Sequence, residues 1–425
     1  MIDSVRGRAV PLVLIAVAFA VRLVAGEVVL SQNRAFLPDS HLYWGYAESL
    51  ARDGVYQVGG AGARRAPGYP LFIVACSTLF GAGSPLVPPP AQQLRSVLIV
   101  QSLLGALIVG MVWSFGTSMF GAESSLRHSA ALAGFVAALD PFSISLGAMI
   151  LSETLFTAAL VASVWCAMKS LERDRNRSAS WVIAAGAAAG IAVLVRPSGL
   201  LLAPIGCLTV ARRWGLKNAL ISIVAFALVM TPWVIRNANV YHAFVPTTLN
   251  VGESLYDGWN PEARGGSNMA FVDHRKQMHG AAQTPADEVA EDAFWKREAI
   301  EWAKNHPGRV FALALTKLAR FWSPWPNAAE FQSKVVVVGC GLFSLIAYGG
   351  ALVGLSVLAR RRRWSAILLV LVPAVYFMTL HAVFVSSVRY RVPAMPMLEL
   401  LTGVGLAWLI HRRSNQEPLS QENVR

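Results

Sequence analysis

Two carboxylates and a scatter of arginines carry most of the chemical potential in this sequence. Asp39 stands near the front of LPDSHLYWGYAESLARDGVY, residues 37–56, where a long apolar run stops. Glu153 lies in DPFSISLGAMILSET, residues 140–154, just after Pro141 has ended one apolar run and as another opens. A carboxylate placed beside a hydroxyl can accept its proton in a transition state. Guanidinium and ammonium groups can meet negative charge on a phosphate, and the candidates are Arg65, Arg196, Arg236, Lys317, Arg320, Arg389 and Arg391. In SSVRYRVP, Arg389 and Arg391 flank Tyr390. We rank Arg389, Arg391, Arg236 and Arg65 first.

Each of these features has a purely structural reading. Asp39 and Ser40 can cap a short helix whose Tyr43, Trp44 and Tyr46 sit at the lipid headgroups. Glu153 at a helix start is stabilised by the helix dipole. A single arginine beside an apolar run can reach to headgroups without binding a substrate. Trp259, Trp295, Trp302, Trp322 and Trp325 could stack on a sugar, although packing is the commoner role of such residues.

The elements that must position these groups are apolar helices. Of 425 residues, 55% are hydrophobic and 14% charged, and the mean hydropathy is +0.49. A soluble domain carries roughly a quarter charged residues, so the solvent here is a membrane. The net charge of +13 does not indicate nucleic acid, because the basic residues punctuate apolar segments and lie on no single soluble face. Four cysteines, Cys76, Cys166, Cys207 and Cys340, fall inside apolar stretches with no paired spacing, so neither a disulfide framework nor a zinc site is signalled.

A span needs about 20 apolar residues. The pattern predicts about ten, near 10–31, 95–119, 129–141, 151–170, 181–195, 198–211, 217–235, 335–359, 365–384 and 392–411. The first begins after Arg6 and Arg8 and is too long for a cleaved leader, so it reads as an uncleaved helix. Arg22 within it must snorkel or face protein. The apolar piece 68–80 is too short to span comfortably. Leaving it re-entrant places KSLERDRNR (169–177), ARRWGLK (211–217), ARRRRW (359–364) and HRR (411–413) on the cytoplasmic side, as the positive-inside rule requires.

Both termini are then cytoplasmic in an all-α polytopic protein of the plasma (inner) membrane. Residues 1–235 form an N-terminal module with a long first outer loop, 32–94. An extracytoplasmic insert, 236–333, contains an amphipathic helix, EDAFWKREAIEWAKNH, ended by Pro307. Helices over 334–411 and a tail, 412–425, complete the chain. Lys317 and Arg320 share one face of a helix that could lie along the membrane.

The ordered set PDSHLYWGYAESLARDG, RRAPGYPLF, DPFSISLGAMILSET, TPWVIRN, FVPTTLNVGESLYDGWNP and VRYRVPAMP resembles the dolichyl-phosphate-mannose-protein mannosyltransferase superfamily in its broad bacterial form. Relatives there include the aminoarabinose transferases of lipid A. The resemblance implies a GT-C fold and a glycosyltransferase that uses a polyprenyl-phosphate sugar. By the same resemblance Asp39 is the catalytic acid of the first outer loop and Glu153 the second acid. The family's Arg-x-Pro-Gly-Tyr-Pro stretch falls on Arg65, Pro67, Gly68, Tyr69 and Pro70. Ala66 stands where many members have Pro, and Ser40 follows Asp39 where many have Glu.

The expected reaction passes a sugar from the lipid phosphate to an acceptor hydroxyl of a glycan, lipid or protein, with inversion. Asp39 is the base, and Arg65, Tyr69, Arg236, Arg389, Tyr390 and Arg391 bind donor and phosphate. No cofactor is required. A divalent metal stays open, since His41 near Asp39 and Glu153 could supply ligands. The competing reading is a secondary transporter or flippase of a lipid-linked or small anionic substrate. Carriers place polar groups near the bilayer midplane and often repeat internally, and no repeat is visible here.

Overall fold

A computed structural model describes residues 2–171, 175–279, 282–328 and 331–414. Among these residues there is no β-strand, only an isolated bridge between Val58 and Ala61. The chain is a multi-pass membrane protein built of helices. Among the described residues seven helices are long and apolar enough to cross a membrane, or eight if one bent pair counts as a span, where the sequence suggests about ten.

The differences have physical causes. Helix α1 (Ile2–Ser31), α4 (Ala91–Phe120) and α7 (Glu153–Leu171) meet their expectations closely. The span expected at 129–141 is instead α5 (Ser129–Ala138) and α6 (Pro141–Gly147), and the apolar run that includes them bends by 48°. Asp140 sits between the two and caps α6 through the Phe142 and Ser143 amides at 3.1 and 3.2 Å. Helix α8 (Arg175–Val195) has a short apolar part, Ala179–Val195. The expected break between 211 and 217 occurs at Gly215, whose φ of 75° interrupts α9 (Leu202–Tyr241). Helices α14 (Lys334–Arg360), α15 (Trp364–Val383) and α16 (Met395–Ser414) close the bundle. Helix α3 (Gly68–Leu79), with 12 residues, rises only about 18 Å and falls short of a bilayer core.

Two features fix the packing inside the bundle. Arg22, 4% exposed, faces protein, one of the two expected outcomes. It donates to the carbonyls of Ala137 and Ala138 at 3.1 Å and of Ala18 at 3.3 Å, so it caps the C-terminus of α5. Helices α14 and α16 approach so closely that a Cβ on Gly354 would lie 2.0 Å from the Leu401 carbonyl oxygen. One on Gly405 would lie 2.1 Å from that of Gly350. Gly350 and Gly354 are one turn apart, the small-residue spacing that lets membrane helices pack backbone to backbone.

Two polar loops meet at one end of the bundle. Glu123, after α4, binds Arg361 and Arg363, between α14 and α15. Cys76, Cys166 and Cys340 are buried and free, while the side chain of Cys207 lies outside the described residues. Residues 415–425 of the expected tail and residues 172–174 of KSLERDRNR also lie outside them.

At the other end of the bundle sit α2 (Pro38–Asp53) and the insert, which folds as α10 (Val251–Gly258), α11 (Ala270–His279), α12 (Pro285–Asn305) and α13 (Pro307–Phe321). Helix α12 contains the expected amphipathic stretch and stops before Pro307. The α14–α16 crossing predicts that Gly354→Ala lowers the thermal midpoint of the purified protein by several degrees, an overpacking cost of about 1–3 kcal/mol. A wild-type melting curve for this variant would show that the helices part without penalty.

Candidate active site

Asp39 and Glu153 are brought together by backbone pairing between two distant segments. The Ile150 amide donates to the Ala35 carbonyl at 2.9 Å. Ser40 donates to the Ile150 carbonyl at 2.8 Å and accepts the Leu37 amide at 2.9 Å. Ser40 therefore provides the cap of α2, and the Asp39 carboxylate is left for other partners. Tyr43, one turn on, reaches Ser152 with its hydroxyl at 3.1 Å. These bonds set the first turn of α2 against the first turn of α7.

Three guanidiniums converge on the two acids. Asp39 Oδ1 accepts from Arg65 Nη2 at 3.1 Å, and Asp39 Oδ2 accepts from Arg389 Nη1 at 2.9 Å. The same Arg389 donates through Nε to Glu153 Oε1, which also accepts from Arg196 Nη1 at 2.6 Å. Arg389 thus bridges both carboxylates. Arg196 touches Ser152 Oγ as well, at 3.2 Å, and lies over the Tyr390 ring at 5.8 Å.

The two acids differ in access. The Glu153 side chain is 1% exposed and its Oε2 is buried with no hydrogen-bond partner, whereas the Asp39 side chain is 34% exposed. Burial opposes ionisation of Asp39, but Arg389 and Arg65 outweigh it and hold the carboxyl well below the usual carboxylate range. Three formal positive charges against two negative leave an excess of one, so the group is suited to an anionic ligand.

Of the other expected site residues, Tyr69 and Tyr390 adjoin the cluster, while Arg236 and Arg391 bind backbone carbonyls. Tyr69 is buried beside Tyr43 and donates to Gln101 at 2.6 Å, and Gln101 in turn holds the Gly147 and Met149 carbonyls. Tyr390 stacks on His381 at 4.1 Å, forming a floor under Arg196. Arg236 gives its guanidinium to the Gly62 and Tyr56 carbonyls at 2.8 and 3.0 Å, between the rings of Trp233 and Tyr241. Arg391 is buried, lies over Phe142 at 4.4 Å and donates to the Phe321 and Ser323 carbonyls.

Lys317 donates to the Gly258 and Val383 carbonyls at 3.0 and 2.6 Å, and Arg320 to that of Ser386 at 3.1 Å. Both therefore tie α13 to the turn that precedes Arg389. Trp295 packs among Tyr256, Phe271 and Phe294, Trp302 stacks on His306, and Trp322 packs edge-on against Tyr348. His41 points away from Asp39, against Phe36, into a cavity of about 270 Å³ bordered by Trp44 and Pro88. Among the described residues no three His, Cys, Asp or Glu side chains converge as metal ligands.

Arg64, Asn250 and Glu253 were not distinguished by sequence reasoning, yet they adjoin the site. Arg64 pairs with Glu253. With its amide turned as its neighbours demand, Asn250 accepts from Arg65 Nη1 at 2.8 Å and donates to Glu253 Oε2 at 2.8 Å. The adjacent Arg64–Arg65 pair was the available signal, since two neighbouring arginines in one outer loop need counter-charges.

Residues 66–235 match the model of a family described as dolichyl-phosphate-mannose-protein mannosyltransferase. The matched segment contains Glu153 and Arg196 but neither Asp39 nor Arg389. No curated protein matches the chain. Among solved structures, an Archaeoglobus fulgidus oligosaccharyltransferase in complex with Zn and sulfate aligns at a TM-score of 0.54 and 15% identity. The alignment covers 96% of this chain and 52% of that one, so this chain spans about half the length of that protein.

Structures of ArnT from Cupriavidus metallidurans, bound to undecaprenyl phosphate and in the apo state, align at 16% identity and a TM-score of 0.39. They cover 95% of this chain and 78% and 77% of theirs. Over residues 66–235 the resemblance to this superfamily holds, and the fold is the GT-C fold.

Removing the bridge should cost stability as well as function. Arg389→Gln leaves Glu153 buried with one cation fewer and is expected to destabilise the purified protein by about 3 kcal/mol, read as a lowered thermal midpoint. An unchanged midpoint would show that Arg196 alone satisfies Glu153.

Proposed function

We propose that the protein transfers a sugar from a polyprenyl-phosphate donor to an acceptor hydroxyl at the extracytoplasmic face of the membrane, with Asp39 as the base. The observation that carries this reading is the convergence of Arg65, Arg196 and Arg389 on Asp39 and Glu153 at one end of the helices. A lipid-anchored phosphate entering there meets a surplus of positive charge and a carboxylate that is partly open.

The chemistry follows from the leaving group. The bond from the anomeric carbon to the phosphate oxygen breaks, and the phosphate departs with the electron pair. No general acid is needed, in contrast to glycoside hydrolysis. The acceptor oxygen attacks from the opposite side, which inverts the centre, and its proton passes to Asp39. Arg389, Arg65 and Arg196 stabilise the charge that grows on the phosphate. Glu153, enclosed behind Arg389, sets the position of Arg389 and Arg196.

A carboxylate pinned by two guanidiniums is a weak base, and the donor relieves this. Its phosphate competes for Arg389 and Arg65, their pull on Asp39 weakens, and the proton affinity of the carboxylate rises. Base strength is thus coupled to donor occupancy.

Two measurements test the reading. Purified wild-type protein is expected to transfer sugar from a polyprenyl-phosphate donor, and Asp39→Asn to lose at least about two orders of magnitude in turnover. Full activity in Asp39→Asn would remove this residue from the mechanism. The pH dependence has a definite sign. In the free enzyme the Asp39 carboxyl ionises below the ordinary value of about 3.9, so kcat/KM carries no acid limb from Asp39 above that pH. The limb in kcat lies at higher pH, because the bound phosphate has drawn the guanidiniums away. A kcat/KM limb near neutrality would identify a different base.

A further inference from the structure

Among the described residues the insert shows no hydrogen bond to Asp39 or Glu153, yet two of its carboxylates hold the loop that carries Arg65. Glu288, on α12, is 5% exposed. Its Oε2 accepts the Gly62 amide at 2.9 Å and the Tyr241 hydroxyl at 2.6 Å, and its Oε1 accepts the Ala63 amide at 3.0 Å. Three donors on one buried carboxylate fix two successive peptide units. Next to it the Leu249 amide donates to the Ala63 carbonyl at 2.8 Å.

Glu253, on α10, then takes the two arginines that follow. One oxygen binds Arg64 and the other binds Asn250, whose carbonyl receives Arg65 Nη1. The remaining terminal nitrogen of Arg65 lies on Asp39. The loop itself has little regular structure beyond the bridge at Val58 and Ala61. The insert therefore supplies order that the loop's own backbone lacks.

We propose that Glu288 and Glu253 are positioning residues, which lock residues 61–65 to the insert so that the Arg65 guanidinium is held at Asp39. The mechanistic half of this inference rests on the function proposed above. Releasing either acid lets Arg65 leave Asp39, which then faces Arg389, Arg196 and the like-charged Glu153, with Tyr43 on its own helix. One of the two nearest counter-charges is lost, and the carboxyl protonates more readily.

The test uses full-length protein in nanodiscs with Glu288→Gln and Glu253→Gln, followed by hydrogen exchange and by transfer kinetics. In Glu288→Gln the amides of residues 61–65 are expected to exchange about tenfold faster, the consequence of roughly one lost hydrogen bond, while α4 and α7 keep their protection. In Glu253→Gln, donor turnover falls about tenfold, kcat/KM acquires an acid limb that the wild type lacks above about pH 3.9, and Glu253→Asp partly reverses both.

Wild-type exchange at 61–65 in Glu288→Gln overturns the proposal. So does a Glu253→Gln enzyme with lowered stability but an unshifted pH profile. Should wild-type protein transfer no sugar, the function falls, while the exchange result still decides whether the insert holds the loop. If Glu288→Gln fails to fold, exchange at 61–65 in Glu253→Gln decides in its place, and unchanged rates there overturn the proposal.

Discussion

Arg389 spans two carboxylates that could not otherwise share a site. Glu153 is enclosed and Asp39 lies beside it, so ionising both would set like charges together in a poorly hydrated place. The guanidinium is planar, permanently charged and donates in several directions, which allows one side chain to serve both acids. A lysine would present a single point charge in its place. Backbone pairing sets α2 against α7, and the bridge then ties the turn before α16 to both of their acids.

Much of this was legible in the sequence, for identifiable reasons. Apolar runs and their basic punctuation gave most of the helices, and Asp39 and Glu153 stood out as acids at the ends of such runs. Proline stops marked the end of α12. The arginines were harder to read. Arg236 and Arg391 carry the same local signals as Arg65 and Arg389, yet they bind backbone carbonyls. An arginine that closes a turn and one that pairs with a carboxylate have the same neighbours in sequence, and only the tertiary partner separates them. Arg196 stood among the cation candidates but outside the four ranked first. It follows an ordinary apolar helix, and nothing nearby in sequence announces that it reaches Glu153.

Where single spans break was hidden for a related reason. Hydropathy reports composition and is silent about direction, so the bend after α5 and the interruption at Gly215 leave little trace in an apolar average. The insert was seen as a region too long to be passive. Its acids were hidden by an abundance of other polar residues, since Glu253 and Glu288 differ from exposed neighbours only in what they bind. Lys317 is similar: its position on a helix face was readable, but its bonds to Gly258 and Val383 were not.

The order in which the cluster is synthesised follows from where its members lie along the chain. Asp39, Arg65, Glu153 and Arg196 all leave the ribosome long before Arg389, and those four balance as two charges of each sign. A nascent protein stalled before its final helix would therefore carry an electrically neutral pocket, with the two acids unbridged. The surplus positive charge arises only with the turn before α16, so a partly made chain lacks it.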